Sequence, residues 1–446
     1  MQTLSRSEAY YLTGLSVISL AILYQAWHHD EEPLYASLAI SGLVFAFTSA
    51  LIRWTGPVFL NRGYKGRDLA KKNAVVIPET MGLVVALVYL LALIFFLPFA
   101  FKNHMREGAS TYDVETGRFL YRFPLEKLAS YGFAYGTLAS MTILGILDDS
   151  FDMRWRHKFF IPAFAVLPTL ALYYVDFGVT RVVVPLPLRG LLGDLIDLGG
   201  FYYIYMAAVA IFCPNCINIL AGINGIEVGQ CIVVALLICL NDMLYLLPTV
   251  TQPHPAAESH RFSLSLLLPL IGGSLALLRP NWYPARVFVG DTYCYFAGMV
   301  LAVVGILGHF SKTLLLLLMP QIFNFIYSAP QLFGLVPCPR HRTPRFNPRS
   351  NLLEPSMAHL EGRWAVAKLM KWLSRLRLLC VTVNEQGQVI MISNLTLLNL
   401  WLVWRGPMRE DRLATEILVA QAAIGLLALW ARHYLAALLF TADNRF

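Results

Sequence analysis

Met81-Gly-Leu-Val-Val-Ala-Leu-Val-Tyr-Leu-Leu-Ala-Leu-Ile-Phe-Phe-Leu-Pro-Phe-Ala100 contains no charged residue, and it decides the class of the molecule. An apolar run of about 18–20 residues is long enough to cross a bilayer as an α-helix. Such a helix satisfies its own backbone, which lipid cannot do. Thr292 to Gly308 is a second run without charge. Around them the 446-residue chain is 57% hydrophobic and only 14% charged, with mean hydropathy +0.58. A soluble protein carries about 25% charged residues. Hydropathy predicts ten spans, near 34–60, 81–100, 128–147, 159–175, 200–220, 229–248, 262–278, 292–310, 313–336 and 413–440. The expected fold is therefore an all-α polytopic membrane protein of about ten transmembrane helices. An eleventh apolar segment, Tyr10 to Trp27, precedes them. Its leader holds only Arg6 as a basic residue and no clear small-residue cleavage site, so it reads as an extra anchor helix.

Four regions follow: an N-terminal extension 1–33, a transmembrane core 34–336, a loop and small α/β subdomain 337–412, and a last helix with its tail, 413–446. The loops after the first, third, fifth, seventh and ninth main spans hold 22 Lys and Arg, against 9 in the alternate loops. The positive-inside rule puts the first set in the cytosol, although 12 of the 22 sit in the long loop 337–412, where the rule is weaker. A net charge of +8 suits anionic lipid and phosphate substrates rather than nucleic acid. Five of the seven cysteines lie in or beside apolar spans, where free Cys behaves as a small hydrophobe. Cys213-Pro-Asn-Cys216 has redox spacing without a thioredoxin-like context, so it reads as packing.

The polar clusters fall on one side. Gly66-Arg-Asp-Leu-Ala-Lys-Lys72 leads to Ile77-Pro-Glu-Thr80, where Glu79 directly precedes an apolar span. Basic residues alone there would only hold topology, but a carboxylate can accept hydrogen bonds from a base or ribose. Asp148-Asp149-Ser-Phe-Asp152-Met-Arg-Trp-Arg-His-Lys158 alternates acids with bases at a span end. Acids can hold a divalent metal, and Lys or Arg can neutralise phosphoryl oxygens. A salt-bridge patch is the competing reading, disfavoured because ionisable residues in membrane segments are functional by default. Asn215-Cys-Ile-Asn218-Ile-Leu-Ala-Gly222-Ile-Asn224-Gly225-Ile-Glu227 puts three Asn within ten residues, beyond what helix–helix hydrogen bonding needs. Amide oxygens suit a hard cation. Arg286-Val-Phe288-Val-Gly-Asp291-Thr292 opens a charge-free span, where Asp291 can cap a helix and also serve chemistry. Pro337-Cys-Pro-Arg340-His341-Arg342 frames a cationic finger suited to phosphate. Farther on, Val381 to Ile392 predicts two short strands around a Glu-Gln-Gly turn, and Leu395 to Trp404 is too short to span and is placed in the interface plane. Asn394-Leu-Thr396 is the sole Asn-x-Ser/Thr sequon, expected to stay unmodified on the cytosolic side.

Together the clusters describe phosphoryl transfer between two anions, with a metal and fixed cations to screen their repulsion. No Walker loop, thiol nucleophile or Ser–His–Asp order is evident. In order and spacing, Ile77-Pro-Glu79, Asp148-Asp149, Arg154-Trp-Arg-His-Lys158, Asn218-Ile-Leu-Ala-Gly-Ile-Asn-Gly225, Asn281-Trp-Tyr-Pro284, Arg286-Val-Phe-Val-Gly-Asp-Thr292, Gly305-Ile-Leu-Gly-His-Phe-Ser-Lys-Thr313 and Pro337-Cys-Pro-Arg-His-Arg342 resemble the polyprenyl-phosphate N-acetylhexosamine-1-phosphate transferases. Within that superfamily they resemble the eukaryotic branch, which loads dolichyl phosphate from UDP-GlcNAc to begin the lipid-linked oligosaccharide of N-glycosylation. The resemblance implies that Asn218 and Asp291 ligate Mg²⁺ (Mn²⁺ substituting) with the substrate pyrophosphate, and that Lys158 contacts its oxygens. It implies that Asp148 and Asp149 lie beside the metal and the acceptor phosphate. Leu69, Glu79, Gly222, Asn224 and Phe288 match a uridine pocket, with Phe288 stacked on uracil, and Arg340, His341 and Arg342 match the loop that reads the sugar and its phosphates. It further implies a homodimer in the endoplasmic reticulum membrane, a cytosol-facing site and inhibition by tunicamycin. The likeness runs from about residue 34 onward, leaves 1–33 without a counterpart, and finds Asp152 where animal relatives carry Asn. A nucleotide-sugar transporter would line a midplane cavity instead, and an intramembrane aspartyl protease would need Gly where Phe288 stands.

Overall fold

The computed structural model describes residues 4–29, 33–72, 74–102, 105, 112–113, 118–119, 124–151, 153, 158–247, 256–339, 342–360, 364–435, 438 and 440. In chain order the elements are α1 (Arg6–His28), α2 (Pro33–Arg62), β1 (Lys65–Arg67), β2 (Val76–Pro78), α3 (Gly82–Ala100), β3 (Tyr112–Asp113), β4 (Arg118–Phe119), α4 (Leu125–Phe151), α5 (Ile161–Ala165) and α6 (Leu167–Asp176). There follow β5 (Arg181–Val183), β6 (Leu195–Asp197), α7 (Gly200–Ile219), α8 (Ile226–Leu246), α9 (Ala257–Asn281), α10 (Asp291–Leu307), α11 (Ser311–Leu317) and α12 (Met319–Leu332). The C-terminal part adds β7 (Arg345–Asn347), β8 (Leu352–Glu354), β9 (Met357–His359), α13 (Trp364–Arg375), β10 (Val381–Val383), β11 (Val389–Ser393), α14 (Leu397–Arg405) and α15 (Glu410–Trp430).

Among the described residues eight helices are long and apolar enough to cross a membrane, nine if α11 and α12, bent by 70°, form one span. The fold is that of an all-α polytopic membrane protein. Among the described residues all ten expected span positions hold helices, but three are not single helices of the expected length. The segment 159–175 is split at Val166, just ahead of Pro168, whose ring removes a backbone donor. The segment 292–310 is the 17-residue α10. The break between α11 and α12 likewise falls at a proline, Pro320.

α10 is the hub. Every residue from Thr292 to Leu307 is buried, and α3, α4, α7, α8, α9 and α11 all pack on it. In lipid, helices associate by close van der Waals approach rather than by a hydrophobic drive, so small residues mark the crossings. Gly145 of α4 lies against Thr292, and Gly298 lies against Pro214 and Cys213 of α7. The Cys213-Pro-Asn-Cys216 segment is indeed packing, its thiols buried and free beside this crossing.

The N-terminal segment is an anchor-like helix on α2. Ser5 and Glu8 form a capping box at its start. Glu8 pairs with Arg53 at 2.5 Å and with Arg279, near the end of α9, at 3.6 Å. At the opposite end the buried Lys102, just after α3, donates to the carbonyls of Ala26 and His29, a cation placed on the negative end of the α1 dipole. These contacts set the start of α1 on the face where α9 ends, as the parity of an added span requires.

Between α12 and α15 the chain forms short strands and the helices α13 and α14. β10 and β11 pair antiparallel around Gly387, and β9 adds on the other side of β11. α13 covers this sheet through Met370 and Leu373. α14 packs one face on the protein: Leu397, Leu398 and Leu402 are buried with Leu353, Met408 and Leu413, because a β-hairpin and the start of α15 fold over it. The sequon residue Asn394 is buried as well, accepting from Gln331 and donating to Ser356.

The α10–α7 crossing yields a direct test. A Cβ on Gly298 would stand 2.5 Å from the Pro214 Cα, so Gly298→Val forces two membrane helices apart at a cost of about 1–3 kcal/mol or more. Its Tm in detergent should fall by several degrees. Gly14→Val on α1, with nothing within 4 Å, should leave Tm unchanged.

Candidate active site

The site begins with an accounting problem. A helix leaves its first N–H groups without partners, and at the start of α10 Thr292 is buried while Asp291 is only partly exposed. Asp149, from the end of α4, solves it. Its Oδ1 accepts from the Asp291 N–H at 2.8 Å, and its Oδ2 from the Thr292 N–H at 3.2 Å and the Thr292 hydroxyl at 2.5 Å. The Tyr293 N–H reaches the Gly290 carbonyl. Gly290 sits at φ +76°, and a Cβ there would stand 2.7 Å from Asp149 Oδ2 and from the Thr80 Cα, so only glycine fits.

With Asp149 committed to the helix, Lys158 organises the other two acids. Its ammonium donates to Asp148 Oδ2 at 2.7 Å and to Asp291 Oδ2 at 2.8 Å. Asp148 also accepts from the Met153 N–H. Asp148 is buried, whereas the Asp291 side chain keeps 34% exposure. Burial pulls the Lys158 ammonium down, but the facing Asp291 and Asp148 carboxylates hold its pKa above the ordinary value. The Asn218 side chain lies beside the Asp291 carboxylate. Among the described residues no three His, Cys, Asp or Glu side chains gather as a metal cage. Asp291 and Asn218 offer two hard oxygen donors on a partly open carboxylate. That set fits a Mg²⁺-type ion, which keeps most of its shell for water and substrate oxygens.

A second half-site lies beside it. The β1–β2 hairpin is joined to the segment before α10 by Phe288 N–H to the Pro78 carbonyl and Met81 N–H to the Phe288 carbonyl. This sets the Phe288 ring over Gly66, whose Cβ would meet the ring at 2.7 Å and Glu79 Oε2 at 3.3 Å. Leu69 is 71% exposed at the rim. Burial raises the Glu79 pKa, and the nearby charges of Asp149 and Asp291 raise it further. Gly222, at φ +103°, closes against Thr343 and donates its N–H to Glu227, which brings the Asn-Gly turn to the loop that carries Arg342. Gly225 N–H donates to Asn281 Oδ1, and Asn281 Nδ2 to the Val287 carbonyl. One Arg342 guanidinium nitrogen is buried without a partner among the described residues, and burial lowers its pKa. An unpaired buried cation is what an anionic ligand would satisfy.

The structure therefore gathers Asp148, Asp149, Lys158, Asn218 and Asp291 in one group, and brings Leu69, Glu79, Gly222, Asn224, Phe288 and Arg342 to the same face. Asp152, Arg340 and His341 lie outside the described residues. Asn215 is structural: buried, it donates to the Ile211 and Phe159 carbonyls. Sequence reasoning missed Asp68, Lys71 and Glu410. The buried Asn224 donates through Nδ2 to Asp68 at 3.1 Å and through its backbone N–H to Glu410 at 2.7 Å, and Lys71 bridges the two acids. Lys71 and Asp68 stood inside a quoted basic cluster, but Glu410 is 339 residues from Lys71 and carries no local signal.

Fold and comparisons together define a polytopic membrane transferase, with a group of acids and a lysine gathered at the ends of its helices. The model of glycosyl transferase family 4 matches residues 132–309. The UDP-N-acetylglucosamine–dolichyl-phosphate N-acetylglucosaminephosphotransferase of Saccharomyces cerevisiae is 49% identical over 444 residues, covering 97% of this chain and 98% of its own. The protein of that name from Schizosaccharomyces pombe is 46% identical over 452 residues, covering 98% and 99%. That from Dictyostelium discoideum is 39% identical over 391 residues, covering 83% and 81%. The chain belongs to the UDP-N-acetylglucosamine–dolichyl-phosphate N-acetylglucosaminephosphotransferase family. The coverage corrects one expectation: 97% of 446 residues leaves about 13 unmatched, so most of the 1–33 extension has a counterpart in the yeast relative.

Two outcomes follow. Asp149→Ala should cost about 1–2 kcal/mol by uncapping α10, seen as a lower Tm together with lost turnover. Glu79→Gln should act with pH. A carboxyl whose folded pKa is raised takes up a proton on folding, so its penalty is absent at low pH and complete once pH passes the folded value. The Glu79→Gln Tm should match wild type near pH 4 and exceed it at pH 8; an equal offset at both would exclude Glu79 as the source.

Proposed function

We propose that this chain transfers GlcNAc-1-phosphate from UDP-GlcNAc to dolichyl phosphate, forming GlcNAc-diphosphodolichol and releasing UMP, the first step of lipid-linked oligosaccharide synthesis. The observation that carries the reading is the Lys158 ammonium held between Asp148 and Asp291 at the mouth of a buried helix, in a chain alike over nearly its full length to enzymes of that name.

The bond changes are simple. An oxygen of the lipid phosphate attacks the phosphorus bearing the sugar, and the P–O bond to UMP breaks. Lys158 lies where negative charge builds on the phosphoryl oxygens, and a fixed cation in a low-dielectric site costs no reorganisation. Asp291 and Asn218 would hold Mg²⁺, with Mn²⁺ able to substitute, and the bound ion would neutralise the pyrophosphate and ease departure of UMP. Asp149 is spent on the α10 N-terminus and Asp148 on Lys158 and the Met153 N–H, so neither carboxylate is left free as a covalent nucleophile. That favours direct in-line transfer in a ternary complex. The Phe288 ring over Gly66, with Glu79 at its edge, suits a uracil stacked and hydrogen-bonded. Arg342, with Arg340 and His341, would meet the sugar and its phosphates.

The basic loops around this face support a cytosolic orientation in the endoplasmic reticulum membrane, with the start of α1 on the same side. A homodimer and tunicamycin sensitivity belong to the same reading through the family resemblance.

Purified protein given UDP-GlcNAc labelled in the sugar, with dolichyl phosphate, should yield lipid-soluble label and UMP. Excess chelator should abolish this, and Asp291→Ala should lower kcat by about 10²–10³-fold or more while the protein stays folded. Full activity in chelator would overturn the metal assignment. Exchange of labelled UMP into UDP-GlcNAc should require the lipid; exchange without lipid, with a labelled phospho-enzyme, would replace direct transfer by a two-step route. A protease-cleavable tag ahead of Met1 should be cut in sealed microsomes of cytosol-out orientation; protection there would reverse the topology.

A further inference from the structure

A closed ring of polar groups ties the last membrane helix to the nucleotide half of the site. Glu410 opens α15 and is buried. One of its oxygens accepts from the Asn224 N–H at 2.7 Å and the other from Lys71 Nζ at 2.6 Å. Lys71 Nζ is also 2.9 Å from Asp68 Oδ2, which accepts from Asn224 Nδ2 at 3.1 Å. Lys71 further lies 4.3 Å from the centre of the Tyr283 ring. Two carboxylates, one ammonium and one amide thus share an interior with little water, where each group holds the others in place and removal of one leaves a buried charge unpaired.

The ring reaches three segments of the proposed nucleotide pocket. Asp68 and Lys71 belong to the turn that bears Gly66 and Leu69, Asn224 to the turn that bears Gly222, and Tyr283 to the segment leading into Phe288. None of its members touches Asp148, Lys158 or Asp291. Asn224 spends its backbone N–H on Glu410 and one amide proton on Asp68, which leaves its second amide proton and the acceptor Oδ1 for other partners.

We infer that Glu410 is a positioning residue for nucleotide binding, acting through Asn224 and Lys71 without touching substrate itself. The inference rests on the function proposed above. It makes the end of a membrane helix, remote in sequence from every pocket motif, a determinant of affinity for the nucleotide-sugar and not for the lipid.

The test uses the full chain. KM for UDP-GlcNAc, KM for dolichyl phosphate and kcat are measured for wild type and Glu410→Ala, and UMP binding is measured by calorimetry without lipid. Glu410→Ala should raise KM for UDP-GlcNAc and the UMP Kd by about tenfold or more, the scale of a misplaced binding group. KM for dolichyl phosphate should stay within about twofold. Glu410→Gln keeps an acceptor for the Asn224 N–H but loses the charge facing Lys71, so it should fall between the two; it also serves if Glu410→Ala fails to fold. Unchanged KM values with only a smaller active fraction would show a merely structural role and overturn the inference, as would equal rises for both substrates. Wild type that binds UMP with a Glu410→Ala affinity equal to its own would sink this inference alone. Wild type that neither binds UMP nor turns over UDP-GlcNAc would remove the functional reading beneath it.

Discussion

The Asp149 carboxylate on the first two N–H groups of α10 is the contact on which the remainder depends. A helix buried among its neighbours cannot leave donors bare, since an unmet N–H in a low-dielectric interior costs about 1–3 kcal/mol. The positive end of the helix dipole also draws negative charge. A carboxylate from α4 meets both demands, and so fixes α4 against α10. With that docking set, Asp148 and Asp291 come to face each other, and Lys158 enters between them.

The same constraint explains where the chemistry sits. The midsection of α10 is packed by glycine crossings and offers no room for a hydrated anion. Its N-terminus is the place where protein interior, backbone donors and solvent meet. One carboxylate faces inward to hold the helix, while Asp291, one residue into it, keeps a third of its surface open. A charged lipid phosphate can approach such a point without leaving the membrane, and a soluble nucleotide-sugar can approach it from water.

Several features were legible in the chain alone because their signal is local. The charge-free runs marked the helices, and Asn224-Gly225 marked a turn that the structure places at φ +83°. The pairing of 381–383 with 389–393 followed from alternation around a Gly turn. The motifs Asp148-Asp149, Asn218 and Gly290-Asp291 stood out because polar residues at the ends of apolar spans are costly without a use, and the structure gathers them in one group. Other features were not legible for an equally physical reason. Asp148 and Asp149 look equivalent in sequence, yet one faces a lysine and the other caps a helix. Asn215 and Asn218 share a helix face, yet Asn215 spends its amide on the Ile211 and Phe159 carbonyls. Glu410 carries no signal in its neighbouring residues, since its partners Lys71 and Asn224 are far away in the chain.

The sequence by itself determined the class of protein, the approximate positions of its helices and the clustering of polar residues at the ends of those helices. Hydropathy and turn propensity act over a few residues, so they can be read without knowing the neighbours. Tertiary structure decided how each polar group is used. It broke two spans at prolines, buried α14 under a hairpin, assigned Asp149 to the backbone of α10, and joined Glu410 to Lys71 and Asn224. A hydrogen-bonding group has few lone pairs or protons to give, and whether they go to the fold or to a substrate depends on partners that only folding brings within 3 Å.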